Sequence, residues 1–210
     1  GHGPYFVRSL RSSTGLTPTV PSGDVTYPMA YRLFIGLSPP EDVAEALSRL
    51  QDGLPGARWR DPESFHLTLA FVGDASARTF EDLAAALTSL SAPGFTLDWT
   101  EPGVFGAEGR PRAVWAGVRA EPGLLLLQGR VEAAMRSVGL TPEARRFVPH
   151  VTLAYLARAS DADVAKYVGE RSLLHVPPWP VGEFHLYSSH LGGGHSIYRI
   201  EETCYLEREV

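Results

Sequence analysis

Apolar residues in this chain fall into short runs rich in β-branched and aromatic side chains, separated by stretches with a helical period. Tyr31–Leu37 reads as a first strand. It runs into Ser38-Pro39-Pro40-Glu41, where Ser38 as N-cap, Pro39 at the first helical position and Glu41 as capping-box partner predict a helix to about residue 52. Val43, Leu47, Leu50 and Leu54 mark its apolar face. Residues 58–72 carry a second strand, and residues 77–91 a helix with Phe80, Leu83, Leu87 and Leu90 as its buried stripe. Residues 95–99 and 112–119 read as strands that flank the strand at 58–72. The second half repeats this material. A helix over residues 123–138 uses Leu124, Leu127, Val131 and Met135 and is stopped by Gly139. An apolar strand follows over residues 147–156, then a shorter helix over 160–168 begun by Ser160 or Asp161. Strands at 181–189 and 196–206 close the chain around Gly192-Gly193-Gly194.

Within the apolar runs one tetrapeptide occurs twice. His66-Leu67-Thr68-Leu69 has a near twin in His150-Val151-Thr152-Leu153. Side chains alternate faces along a strand, so His66 shares a face with Thr68, and His150 with Thr152. A lone histidine in an apolar strand is usually a core or edge residue satisfied by backbone. Two copies of the same polar pair point instead to one site holding two imidazoles and two hydroxyls. The duplication predicts an α+β fold of two similar lobes, each a largely antiparallel sheet with helices outside, related by a pseudo-two-fold around a central cleft.

The double His-x-Thr-x pattern resembles the signature of the 2H phosphoesterases, and in particular the RNA 2′,3′-cyclic phosphodiesterases, also called 2′–5′ RNA ligases. Tyr31-Arg32-Leu33-Phe34-Ile35-Gly36-Leu37 is similar to that family's opening strand. Phe65 to Gly73 and Phe147 to Ala154 resemble its two motif strands, and Phe184-His185-Leu186-Tyr187-Ser188-Ser189 with Tyr198 its closing hairpin. The resemblance runs from about Tyr31 to Val210.

Chemically, two imidazoles facing one substrate can divide labour, because histidine titrates near working pH and can serve as base or acid. Thr68 and Thr152 can donate hydrogen bonds to non-bridging phosphate oxygens as charge builds there. These four groups suffice for phosphodiester hydrolysis without a metal or other cofactor. The resemblance implies hydrolysis of an RNA 2′,3′-cyclic phosphate to a 2′-phosphate, with His66 as acid and His150 as base, and 2′–5′ ligation as the reverse. It also implies that Phe71 stacks on the terminal base. Strict alternation puts Phe71 on the face opposite His66, so this role requires a bend near Ala70 and Phe71. Where relatives carry an arginine, this chain has Tyr155, and a phenol cannot grip phosphate as a guanidinium does. Arg146, which immediately precedes the second motif strand, is the expected substitute, ahead of Arg145, Arg158, Arg110 and Arg112. A binding module for a nucleotide or an RNA end, with little activity, and a 2H enzyme acting on a small cyclic nucleotide are the competing readings.

The remaining histidines, His175, His185, His190 and His195, do not form a metal pattern. The last three are five residues apart, which fits neither a helical zinc pair nor one strand face. A net charge of −5 argues against a broad nucleic-acid-coating surface, though not against a local basic cleft for one RNA end. The single cysteine, Cys204, excludes an intrachain disulfide and fits a reducing cytoplasm. No apolar run approaches the roughly 18 residues of a membrane span. Residues 1–28, rich in Gly, Pro, Ser and Thr, read as a leader or added extension with Met29 as a candidate native start, and residues 29–210 as a single bilobal domain. A monomer is expected.

Overall fold

The strand β1 (Tyr31–Leu37) is buried over its last five residues, so both of its faces are covered by protein. The computed structural model describes residues 31–171, 175–192 and 195–207; the expected leader at 1–28 and the centre of the Gly192–Gly194 turn lie outside these. Around β1 lie β2 (Ala57–Trp59), β3 (Leu67–Ala75), β4 (Phe95–Leu97), β5 (Gly103–Ala107), β6 (Arg110–Gly117), β7 (His150–Leu156), β8 (Trp179–Val181), β9 (Glu183–Gly192) and β10 (His195–Tyr205). One sheet has the order β10-β9-β1-β3-β7-β6-β5, with β2 also paired to β7, and these strands all pair antiparallel. A small second sheet pairs β4 with β8.

Among the described residues four α-helices complete the fold: α1 (Glu41–Ser48), α2 (Ala77–Thr88), α3 (Pro122–Ser137) and α4 (Asp161–Glu170). α1 ends at Ser48, short of the expected residue 52, and buries Val43 and Leu47 of its expected face. Leu83 and Leu87 of α2, and Leu124, Leu127, Val131 and Met135 of α3, are buried in one core with Leu33, Ile35 and Leu37 of β1. Ser76 and Ser160 cap α2 and α4 by accepting the amides of Thr79 and Asp163, and Gly139, at φ 80°, ends the chain's longest described helix.

Two expectations need correction, and one strand is additional. The capping box at Ser38 and Glu41 does not form: Pro40 is the N-cap of α1 and no side chain caps it. A residue before proline is pushed out of the helical region, so Pro40 keeps Pro39 extended and delays the helix. The strands at 95–99 and 112–119 do not flank the first motif strand. One edge of β3 is taken by β1 along its length and the other meets β7, so β6 pairs with β7 and β4 leaves for β8. β5 was not foreseen, because Gly-Val-Phe-Gly-Ala has no clear alternation. Its Gly103 is required by a neighbour, since a Cβ there would lie 2.1 Å from the Trp115 ring.

Gly36 of β1 sits where an added Cβ would be 2.8 Å from the Leu67 carbonyl oxygen, a backbone atom of β3. Gly36→Ala should therefore destabilise the fold by ~1–3 kcal/mol. Gly129, exposed on α3 with nothing near its added Cβ, should instead gain up to ~1 kcal/mol on Gly129→Ala. Urea unfolding of both variants checks this, and equal midpoints would contradict the close approach of β1 to β3.

Candidate active site

β3 and β7 meet at a single pair, Leu67 against Val151. These are the second residues of the two tetrapeptides, and both are fully buried. Because they point into the core, alternation turns His66, Thr68, His150 and Thr152 to the opposite face. An antiparallel register through Leu67 and Val151 runs His66 alongside Thr152 and Thr68 alongside His150. A local two-fold therefore passes through this pair, and all four polar side chains are half-buried around it.

The two imidazoles are held in the same way. Nδ1 of His66 donates to the Ser64 carbonyl at 2.8 Å, and Nδ1 of His150 donates to the Val148 carbonyl at 2.7 Å. A carbonyl can only accept, so Nδ1 carries the hydrogen in both rings and Nε2 offers its lone pair. Ser64 ends a 3-10 turn, Pro62–Ser64, which is capped by the Asp61 carboxylate accepting from the Glu63 amide.

A bulge supplies the bend that Phe71 requires. The register of β1 with β3 slips between Ile35↔Ala70 and Gly36↔Thr68, which leaves Leu69 as the extra residue. Phe71 then lies opposite Phe34, whose ring is 4.8 Å from His66 and 6.3 Å from Phe71. In β7 the register with β6 slips between Val114↔Ala154 and Trp115↔Thr152, leaving Leu153 extra. Both bulges fall on the fourth motif residue, and five residues after each histidine an aromatic, Phe71 or Tyr155, is left partly exposed.

Aromatic rings wall the histidines. His66 lies 4.9 Å from Tyr198 and 6.2 Å from Tyr187, while His150 lies 4.7 Å from Phe105 and 5.8 Å from Trp115. Burial among such groups disfavours the imidazolium. It brings the His66 pKa down to about 4, with the Ser64 carbonyl opposing and the charges of Arg60 and His150 adding to the fall. His150 is also lowered, first by burial, against the pull of the Val148 carbonyl, and then by Arg145.

The arginines near the motifs differ in setting, and Arg145 is exposed like Arg146. Arg146 is exposed, as are Arg110, Arg112 and Arg158. The guanidiniums whose charge reaches the histidines belong to Arg60 and Arg145. Arg145 lies 5.7 Å from the Phe71 ring centre and pairs with Glu143 at 2.6 Å. Arg60 lies over the rings of Tyr155 and Tyr198, at 5.6 and 5.2 Å. Its Nη2, and the Nε1 of Trp115, are buried without a hydrogen-bond partner among the described residues. Both belong to side chains next to the histidines: Arg60 lies over the Tyr198 ring that His66 also meets, and the Trp115 ring is 5.8 Å from His150. Neither was legible in the sequence. The only hint of Arg60 is its place in Arg58-Trp59-Arg60 ahead of the first motif, and its partner Tyr155 comes from long-range pairing of β2 with β7.

Two other histidines make separate contacts. His185 is buried, with Nδ1 3.1 Å from the Thr203 hydroxyl and Nε2 3.7 Å from Glu183, and His190 Nε2 is 2.9 Å from the Ser188 hydroxyl. Among the described residues no group of His, Cys, Asp and Glu could hold a metal ion, and no helix is long and apolar enough to cross a membrane.

A bilobal α+β fold that sets one histidine–threonine pair from each half on a common face defines a two-histidine phosphoesterase. The chain belongs to the 2′-5′ RNA ligase superfamily, whose model matches residues 33–193. It is 36% identical over 119 residues to an RNA 2′,3′-cyclic phosphodiesterase of Aeropyrum pernix, covering 54% of this chain and 67% of that protein. It is 30% identical over 181 residues to the enzyme of the same name from Escherichia coli K12, covering 80% of this chain and 92% of that one. Escherichia coli LigT solved in complex with 3′-AMP superposes with a TM-score of 0.67 at 29% identity, over 84% of this chain and 98% of LigT.

In the free protein, the His66 ring should remain neutral down to about pH 4. Inorganic phosphate should raise its pKa, because an anion against the ring favours the imidazolium. Chemical shifts of the His66 ring followed against pH check both points. Titration near the ordinary value of about 6.5, with and without phosphate, would contradict the buried aromatic setting.

Proposed function

We propose that this chain hydrolyses RNA 2′,3′-cyclic phosphate ends to 2′-phosphates without a metal or other cofactor. The observation that carries the reading is the matched pair of imidazoles, each fixed through Nδ1 to a carbonyl two residues back, with Nε2 left to act beside a threonine. The kinship with proteins named for this reaction supports it.

The chemistry follows from those groups. The cyclic ester seats its phosphate between the halves, with Thr68 and Thr152 donating to non-bridging oxygens. His150 accepts a proton through Nε2 from the attacking water, the new oxygen–phosphorus bond forms, and the bond from phosphorus to the ribose 3′-oxygen breaks. His66 gives its Nε2 proton to that departing oxygen. A ring whose pKa is about 4 in the free protein cannot be the acid at neutral pH until something stabilises its charge. The anionic substrate does so, and the acid is thereby charged only when there is a phosphate to act on. The cycle returns when the protons redistribute through solvent. With a 5′-hydroxyl attacking in place of water, and the 3′-oxygen leaving as before, the same groups join the two ends in a 2′–5′ linkage. Phe71, partly exposed on the bulged strand, stacks on the terminal base. We place the activity in the cytoplasm, with the protein working as a monomer on an RNA end.

His66→Ala and His150→Ala should each lower turnover by roughly 10²–10⁴ in the presence of EDTA with the fold intact, and Thr68→Val and Thr152→Val by less. Full activity in either histidine variant would remove that residue from the mechanism. An RNA ending in a 2′,3′-cyclic phosphate should yield an end resistant to a 3′-specific phosphatase, whereas a 3′-phosphate product would reverse the leaving group. Faster turnover of a 2′,3′-cyclic mononucleotide than of an oligonucleotide would move the substrate class to small cyclic nucleotides. Binding of the RNA end without turnover would leave a binding module.

A further inference from the structure

We infer that Arg60 is a phosphate-binding residue of this site, presented to the anion by the rings of Tyr155 and Tyr198. The inference rests on the phosphodiesterase reading for the identity of the anion; the geometry that carries it is separate.

Arg60 is fixed before any ligand arrives. Its amide donates to the Leu153 carbonyl at 2.8 Å, and the Gln51 side-chain amide donates to the carbonyls of both Arg60 and Leu153, at 2.6 and 3.1 Å. Leu153 is the bulged residue of the second motif, so Arg60 is tied to the strand that carries His150 while its charge reaches His66. The side chain lies over two aromatic faces, at 5.6 and 5.2 Å from their centres. Aromatic faces attract a guanidinium while leaving its N–H groups unused. Among the described residues Arg60 has no carboxylate partner, and its Nη2 is buried without an acceptor. A buried charged donor without an acceptor is costly, and an incoming phosphate oxygen removes that cost. Tyr155 thereby has a role that a phenol can fill. It holds and orients the guanidinium that does the gripping.

A purely structural role is the rival account, in which Arg60 only ties β10, through Tyr198, to β7. The two accounts separate when inorganic phosphate and a nucleoside 2′-monophosphate are titrated calorimetrically into the full chain, alongside hydrolysis kinetics. Arg60→Gln should weaken binding of both ligands roughly ten- to a hundredfold, the range for losing a hydrogen bond to a charged group. Arg60→Lys, which keeps the charge and loses the fork, should fall between it and the wild type. Arg58→Gln is the control, since exposed Arg58 lies over the same Tyr155 ring, at 5.8 Å, and should change affinity less than about twofold by this account. If Arg60→Gln folds poorly, Arg60→Lys decides alone by its phosphate affinity relative to the wild type. Wild-type affinity in either Arg60 variant, or equal losses at Arg58 and Arg60, would overturn the inference. If the wild type fails to turn over cyclic phosphate yet binds phosphate through Arg60, the assigned reaction falls and this inference stands.

Discussion

The meeting of Leu67 with Val151 is the constraint on which the site depends. Two buried side chains at equivalent motif positions pair across the junction of the halves, and that pairing generates the local two-fold. Because strand side chains alternate with period two, burying this pair commits the residues on either side of it to the other face. A slip of one residue would turn Leu67 or Val151 outward and the histidine beside it into the core. The apolar residues of the two motifs thus hold the histidines and threonines in place.

The same two-fold gives each half a bulge at its fourth motif residue and a cross-connection. The segment ahead of the first motif supplies Arg60 to Tyr155 of the second strand, and the segment ahead of the second motif supplies Arg145 to Phe71 of the first. Equal geometry does not mean equal chemistry. His66 is enclosed by Phe34, Tyr187 and Tyr198 and feels Arg60, whereas His150 stands beside Phe105 and Trp115 and feels Arg145. Differences of environment between two like groups are how one site assigns an acid and a base.

Much of this was legible along the chain. The stripes of α2 and α3, the cap Ser160 and the stop Gly139, and the shared face of each histidine–threonine pair are local patterns, and local patterns survive folding. What escaped was long-range. Arg146 adjoins its motif in sequence yet points to solvent, while Arg60 reaches the site only because β2 pairs with β7. Phe71 faces the site only because Leu69 is bulged, and a bulge leaves no mark in residue type. The order of β5 and β6 beside β7, rather than β3, depends on which sheet edges remain open once β1 and β3 have paired.

The central claim is that one phosphate is held between two equivalent imidazoles. A crystal structure of the protein soaked with inorganic phosphate or a nucleoside 2′-monophosphate tests it most directly. The account predicts a single phosphate group with Nε2 of His66 and Nε2 of His150 both within hydrogen-bonding distance, roughly 2.7–3.2 Å, and the Thr68 and Thr152 hydroxyls on its other oxygens. A phosphate bound to one histidine alone, or bound away from both, would contradict it.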